Sequence, residues 1–318
     1  MNHPPRITVI IPSLDQELYL ERAICSVLDQ GYDNLELIVM DGGSEDNSLE
    51  IIRQYDNDID HWQSTWDSGP AEAINTALSW ATGEIVGILD ADDAYLPYAL
   101  HEAAKASGAG RADWFVGQSI RVDELDDHLD DLPADPPRSL AAFLMQEDGP
   151  LAGSAVFYRT ELVKSMGGFD STLKLAYGQE MHARLYAAQQ VPGVIRAAVA
   201  AVREHELSLS ATQGLACGGE FIEAAERYST HLAPTHRYLL WRTCDESRRI
   251  FNNAGEAIEA DPAQRTIWQQ LLRKPWWLSS SDYRRRLLQH TGETTPYSAD
   301  PTHQPDAFDA GSDERRAA

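Results

Sequence analysis

Apolar and polar positions alternate with two different periods through the first hundred residues. Ile7-Thr8-Val9-Ile10-Ile11 is a short apolar run suited to a buried strand, and Pro12-Ser13 stops it. From Glu17 to Leu28 the spacing turns helical, with Leu20, Ile24, Val27 and Leu28 on one face. A second apolar run, Leu35 to Met40, meets Asp41-Gly42-Gly43-Ser44, after which Asn47 or Ser48 can cap a helix through Tyr55. Ile59 to Trp62 reads as a short strand, Ala71 to Ala81 as a helix closed by Gly83, and Ile85 onward as a strand running into Asp90. This alternation predicts an α/β fold, a mostly parallel sheet with helices on both faces. Ligands of such sheets bind beyond the carboxyl ends of the strands, and Pro12-Ser13, Asp41-Gly42-Gly43 and Asp90-Ala91-Asp92 all fall there.

Beyond Asp93 the pattern loosens. Pro97 to Ala106 reads as a helix and Trp114 to Val122 as one or two strands. Asp123 to Pro137, with seven acids and three prolines, reads as an exposed loop. Ser154 to Tyr158 suits a strand, Thr160 to Met166 a short helix ending at Gly167-Gly168, and Glu180 to Gln190 a further helix. The expected organisation is an α/β domain over 1–215, a helical extension over 216–290 rich in tryptophan, and a disordered tail over 291–318 poor in large apolar groups.

Composition narrows the class. With 43% hydrophobic and 24% charged residues the chain reads as globular, and no apolar run nears the roughly 20 residues that span a bilayer. Met1 to Arg6 runs straight into the first strand, which leaves no room for a signal peptide. Three widely spaced cysteines, Cys25, Cys217 and Cys244, argue against disulfides or zinc and fit a reducing cytoplasm. A net charge of −24 excludes nucleic acid as a partner. Residues 264–290 run against that average, with a local excess of five positive charges among Trp268, Trp276, Trp277 and several leucines. Such a stretch suits either peripheral contact at the inner face of a membrane or packing onto the domain or a second copy of the chain.

The chemistry concentrates in Ile85-Val86-Gly87-Ile88-Leu89-Asp90-Ala91-Asp92-Asp93. Three carboxylates in four positions at a strand end are costly unless a cation neutralises them, and Mg²⁺ or Mn²⁺ takes such oxygen ligands while clamping a diphosphate. Taken with Val9-Ile10-Ile11-Pro12-Ser13, Leu35 to Ser44, Asp67-Ser68-Gly69 with Asn75, Gly167-Gly168-Phe169-Asp170 and His205 with Ser208 and Ser210, the order of motifs resembles the family 2 glycosyltransferases of the GT-A fold. The resemblance covers roughly Arg6 to Ser210.

It implies a metal-dependent, inverting transfer of a sugar from a nucleotide donor, a UDP-sugar, to a hydroxyl of a glycan or lipid-linked acceptor in cell-envelope or exopolysaccharide synthesis. It implies that Pro12, Ser13, Asp41, Asp67, Asn75 and Asp90 bind the nucleotide sugar, and that Asp92, Asp90, Asp93 and His205 surround Mn²⁺ or Mg²⁺. Asp92 leads that set, and the ion stabilises the leaving diphosphate. The acceptor hydroxyl needs a general base. The family's first acid at that place is Gly178 here, whereas Glu180 and Arg184 are present. Glu180 is therefore either the catalytic base or a helix-start carboxylate in a domain that binds nucleotide sugars without transferring them. A nucleotidyltransferase would need a phosphate loop rich in glycine and lysine, which Pro12-Ser13-Leu14-Asp15 lacks. Ser68 and Asp15 also depart from the family pattern, which more often has Lys and Asn there.

Overall fold

The first strand shows how the sequence sorts its side chains. Every residue of β1 (Ile7–Ser13) is buried, as befits a strand covered on both faces. Ile7, Val9 and Ile11 join one apolar cluster and Ile10 the other, following the two-residue alternation of extended chain. In β2 (Leu35–Asp41), Leu37 and Val39 go to the first side and Ile38 and Met40 to the second. The computed structural model describes residues 3–110, 112–144, 151–205, 208 and 214–232, and its core lies in these two layers, one on each side of a single sheet.

The other strands are β3 (His61–Ser64), β4 (Ile85–Ile88), β5 (Ala94–Tyr95), β6 (Trp114–Val122), β7 (His128–Leu132), β8 (Val156–Arg159) and β9 (Gly193–Arg203). Their order is β3-β2-β1-β4-β8-β6-β9-β5, with β7 beside β6. β3, β2, β1 and β4 pair in parallel, as the alternating pattern predicts. β8 then runs against both β4 and β6, so the sheet as a whole is mixed.

Helices α1 (Leu20–Leu28) and α4 (Ala99–Ala109) cover the first face. On α1 the buried Leu20, Ala23, Ile24 and Val27 form the expected stripe. The other face holds α3 (Pro70–Trp80), α5 (Leu140–Leu144) and α7 (Tyr177–Ala187), together with Ile222 and Ala225 of α8 (Gly214–Tyr228). The shorter α2 (Ser48–Gln54) and α6 (Thr160–Ser165) follow β2 and β8.

Three strands differ from the sequence reading, the shortest being β5, two residues that pair with β9. The acidic stretch after Asp123 is not all loop: it turns back as β7, with Arg121 of β6 paired to Asp130. β9 was not anticipated, because Ala197, Ala198, Ala200 and Ala201 carry little strand propensity, and pairing with β6 on one side and β5 on the other decides the matter. Of the expected helical extension over 216–290, only the part up to residue 232 is described, and it includes most of α8, which packs on the sheet. The tryptophan-rich basic segment and the tail lie outside the described residues. No described helix is long and apolar enough to cross a membrane.

Candidate active site

The strand register brings the first motifs into one row. Ser13 at the end of β1 lies opposite Asp41 of β2, which lies opposite Ser64 of β3. The loops that follow are laced together: the Asp15 amide donates to Ser44 Oγ at 2.8 Å, Glu45 N–H to Asp15 Oδ1 at 2.8 Å, and Glu17 N–H to Asp46 Oδ2 at 2.8 Å. Asp41 is buried and accepts from Ser64 Oγ at 2.6 Å, from the amides of Gly43 and Ser44 at 3.3 and 3.2 Å, and from the Ser44 hydroxyl. Beside it, Ser13 Oγ is buried with no partner among the described residues. A buried hydroxyl left so at a strand end has hydrogen-bonding capacity that a ligand's polar group could use.

Asp67 follows β3 and accepts the Gly69 N–H at 2.8 Å. Burial pushes its carboxyl upward, aided by Glu72 and Asp41 and opposed by the Gly69 amide and by Lys174. Gly69 has φ +141°, a backbone conformation that side chains other than glycine resist, and it delivers Pro70 to the first turn of α3. Asn75, expected beside the nucleotide, has its carboxamide engaged within the chain. Its Nδ2 donates to Phe169 O at 2.8 Å and its Oδ1 accepts Phe169 N–H at 2.8 Å, so both ends of the carboxamide clamp the Gly167-Gly168 turn.

β4 delivers the acidic loop. Ser154, in a short turn before β8, donates to Asp93 Oδ2 at 2.6 Å and accepts the Asp90 N–H at 3.2 Å. Asp93 also accepts Arg203 N–H at 2.8 Å, which ties the loop to the end of β9. Burial first, then repulsion from Asp92 and Asp90, push its carboxyl well above the ordinary range. Burial and the charge of Asp92 push Asp90 up to about 7, against the hydroxyl of Tyr177, which donates to Asp90 Oδ1 at 3.4 Å. Asp92 is partly exposed, unlike Asp93, and meets His205 Nε2 at 3.0 Å. The His205 ring packs 4.7 Å from that of Tyr19, and its Nδ1 is buried without a partner among the described residues.

Among the described residues, no three His, Cys, Asp or Glu side chains converge on a single point. The donors present are the Asp90 and Asp92 carboxylates and the His205 imidazole, with both oxygens of Asp93 already bonded within the chain. Mg²⁺ is held in this way, by one or two carboxylates completed by water and substrate phosphate. The residues therefore fit a hard divalent cation that shares its coordination with a diphosphate.

Glu180 stands in the first turn of α7, 2% exposed. Its carboxylate takes Arg184 Nη2 at 2.7 Å and the Tyr228 hydroxyl of α8, with Arg227 Nη1 at 3.8 Å. Around Gly178, a side-chain carbon would meet nothing within 4 Å. Tyr177, Ser154 and Tyr19 were not singled out by sequence. Each reaches the site from an element distant along the chain, and only the position of Tyr177 next to Gly178 could have marked it.

This chain belongs to glycosyl transferase family 2, whose model matches residues 8–166, half of its 318 residues. It is 32% identical over 115 residues to the GalNAc(5)-diNAcBac-PP-undecaprenol beta-1,3-glucosyltransferase of Campylobacter jejuni, covering 35% of this chain and 37% of that one. Against the Escherichia coli UDP-Glc:alpha-D-GlcNAc-diphosphoundecaprenol beta-1,3-glucosyltransferase WfgD it is 36% identical over 91 residues, covering 28% and 36%. The chain thus spans little more than a third of the length of these curated relatives. The structure of S. aureus TarS 1-349 in complex with UDP-GlcNAc superimposes with a TM-score of 0.58 at 20% identity, over 91% of this chain and 92% of that one, and the shared fold is GT-A.

Proposed function

We propose that this chain transfers a sugar from a UDP-sugar to a hydroxyl of a glycan or lipid-linked acceptor, with inversion at the anomeric carbon and with Mn²⁺ or Mg²⁺ at the acidic loop. The observation that carries the reading is the row Ser13–Asp41–Ser64 with Asp67, lying at the same sheet edge as Asp90 and Asp92. The Campylobacter and Escherichia relatives are both named for undecaprenol-diphosphate-linked acceptors, and the second for a UDP-Glc donor, which supports the choice of substrates.

In this reading Pro12, Ser13, Asp41 and Asp67 hold the nucleotide. Asp92, with Asp90 and His205, holds the cation, while Asp93 fixes the loop through Ser154 and Arg203. The cation, when bound, offsets the charge on the leaving diphosphate. The acceptor oxygen bonds to the anomeric carbon as the bond from that carbon to the diphosphate oxygen breaks, and the hydroxyl proton passes to a base. Glu180 is the base we assign, and it takes that role once the Tyr228 hydroxyl gives up its oxygen.

A second reading is favoured by the commitments of Glu180 and by the open space at Gly178: a domain that binds nucleotide sugar and does not transfer it. UDP release from a panel of UDP-sugars with Mn²⁺ separates the two. Metal-dependent turnover that Glu180→Gln abolishes is the expected result. No turnover with any donor, and turnover appearing only in Gly178→Asp, would replace the enzyme with the binding domain.

A further inference from the structure

An anionic donor has to approach an edge built from Asp41, Asp67, Asp90 and Asp92, so the nearby cations matter. The basic side chains already placed here are committed. Arg203 bonds to the main-chain oxygens of Asp92 and Asp123 and to Asp126, Arg184 to Glu180 and the Met166 carbonyl, and Arg227 to Asp170. Lys174, in the turn between Phe169 and α7, differs. Its side chain is exposed and, among the described residues, no carboxylate pairs with its amino group, although Asp67 and Glu72 both feel its charge.

Its position is built rather than incidental. The stem of Lys174 crosses directly over Gly69, so that a carbon added at Gly69 would lie 2.9 Å from Lys174 Cδ and 3.5 Å from Nζ. Glycine at position 69, which its φ of +141° already favours, leaves the stem room there, and the Asp67 carboxyl feels the lysine's charge. From the other side α8 fixes its backbone. The Glu220 carboxylate accepts the N–H groups of Lys174 at 3.0 Å, Leu175 at 2.8 Å and Ala176 at 2.9 Å.

We propose that Lys174 is a donor-binding residue whose amino group meets the diphosphate of the nucleotide sugar, placed there by Gly69 below and Glu220 behind. The inference rests on the donor reading above and adds a residue to it. An ammonium contributes a point charge and up to three donors to phosphate oxygens. In the ground state it helps hold the diphosphate, and as the glycosidic bond breaks it faces the charge that develops there. Ser68, the next polar side chain along the Asp67 loop, cannot supply that charge.

The test compares the affinity for UDP with that for uridine, in the presence of Mn²⁺, for the wild type, Lys174→Met and Lys174→Arg, with thermal unfolding of each variant as a check on folding. Lys174→Met is expected to weaken UDP about tenfold, the scale of a hydrogen bond to a charged group that is partly open to solvent. Uridine should bind both proteins alike, and Lys174→Arg should recover most of the UDP affinity. Equal UDP affinity in wild type and Lys174→Met overturns the inference while leaving the donor reading in place, as does a loss shared equally by UDP and uridine. A wild-type protein that binds neither ligand overturns the donor reading, and this inference with it.

Discussion

A polar side chain of α3 shows how holding the site differs from forming it. Asn75 has both ends of its carboxamide on the Phe169 main chain, across 94 positions of sequence. Replacing it by alanine strands two backbone groups, a loss of about 1–3 kcal/mol. Asn75→Ala is therefore expected to lower the unfolding temperature while UDP affinity stays near the wild-type value, measured by thermal unfolding and titration on the same preparations. A large loss of UDP affinity at unchanged stability would instead make Asn75 a ligand contact. The sequence made Ser13, Asp41, Asp67, Asp90 and Asp92 legible because each ends a strand or opens the loop after it. The partners that set their properties were not legible. Ser64 on Asp41, Ser154 on Asp93, Tyr177 on Asp90 and Tyr228 on Glu180 are contacts between separate elements, which no local pattern encodes.

At the level of elements, α7 is fastened to the sheet through an aromatic stack. His182 is buried, lies 5.2 Å from the Trp114 ring of β6 and shares a hydrogen bond of 2.8 Å with the Tyr158 hydroxyl of β8. Burial alone pushes its imidazole down from 6.5 to about 3. The sign follows directly. Between those values the unfolded chain takes up a proton that the folded chain refuses, so stability falls as the pH drops from about 6.5 toward 3, and the penalty is absent above that window. His182→Gln should flatten the fall of unfolding free energy across the window, as measured by urea denaturation at a series of pH values. Curves that stay parallel for wild type and variant would show that His182 does not set the slope. Element type was legible where periodicity was strong, as in α1 and β1. It failed where composition opposed the outcome, in alanine-rich β9 and acidic β7, whose pairing with β6 overrides their weak propensity.

For the whole molecule, the sheet divides the core into two layers and leaves the carboxyl ends of β1, β2, β3 and β4 along one edge. In the proposed reading nucleotide and acidic loop meet there because of topology, since the parallel strands all end on the same side. The chain carries a net charge of −24, and in the proposed reading a divalent cation and Lys174 offset the repulsion that an approaching anionic diphosphate meets. The account's central claim is that Asp92 binds the cation that holds the donor. Calorimetric titration of UDP into the full-length protein, with and without Mn²⁺, for wild type and Asp92→Ala, tests it most directly. The account predicts that Mn²⁺ strengthens UDP binding to the wild type and that this gain disappears in Asp92→Ala. UDP affinity that ignores Mn²⁺ in the wild type and is unchanged in Asp92→Ala would contradict it.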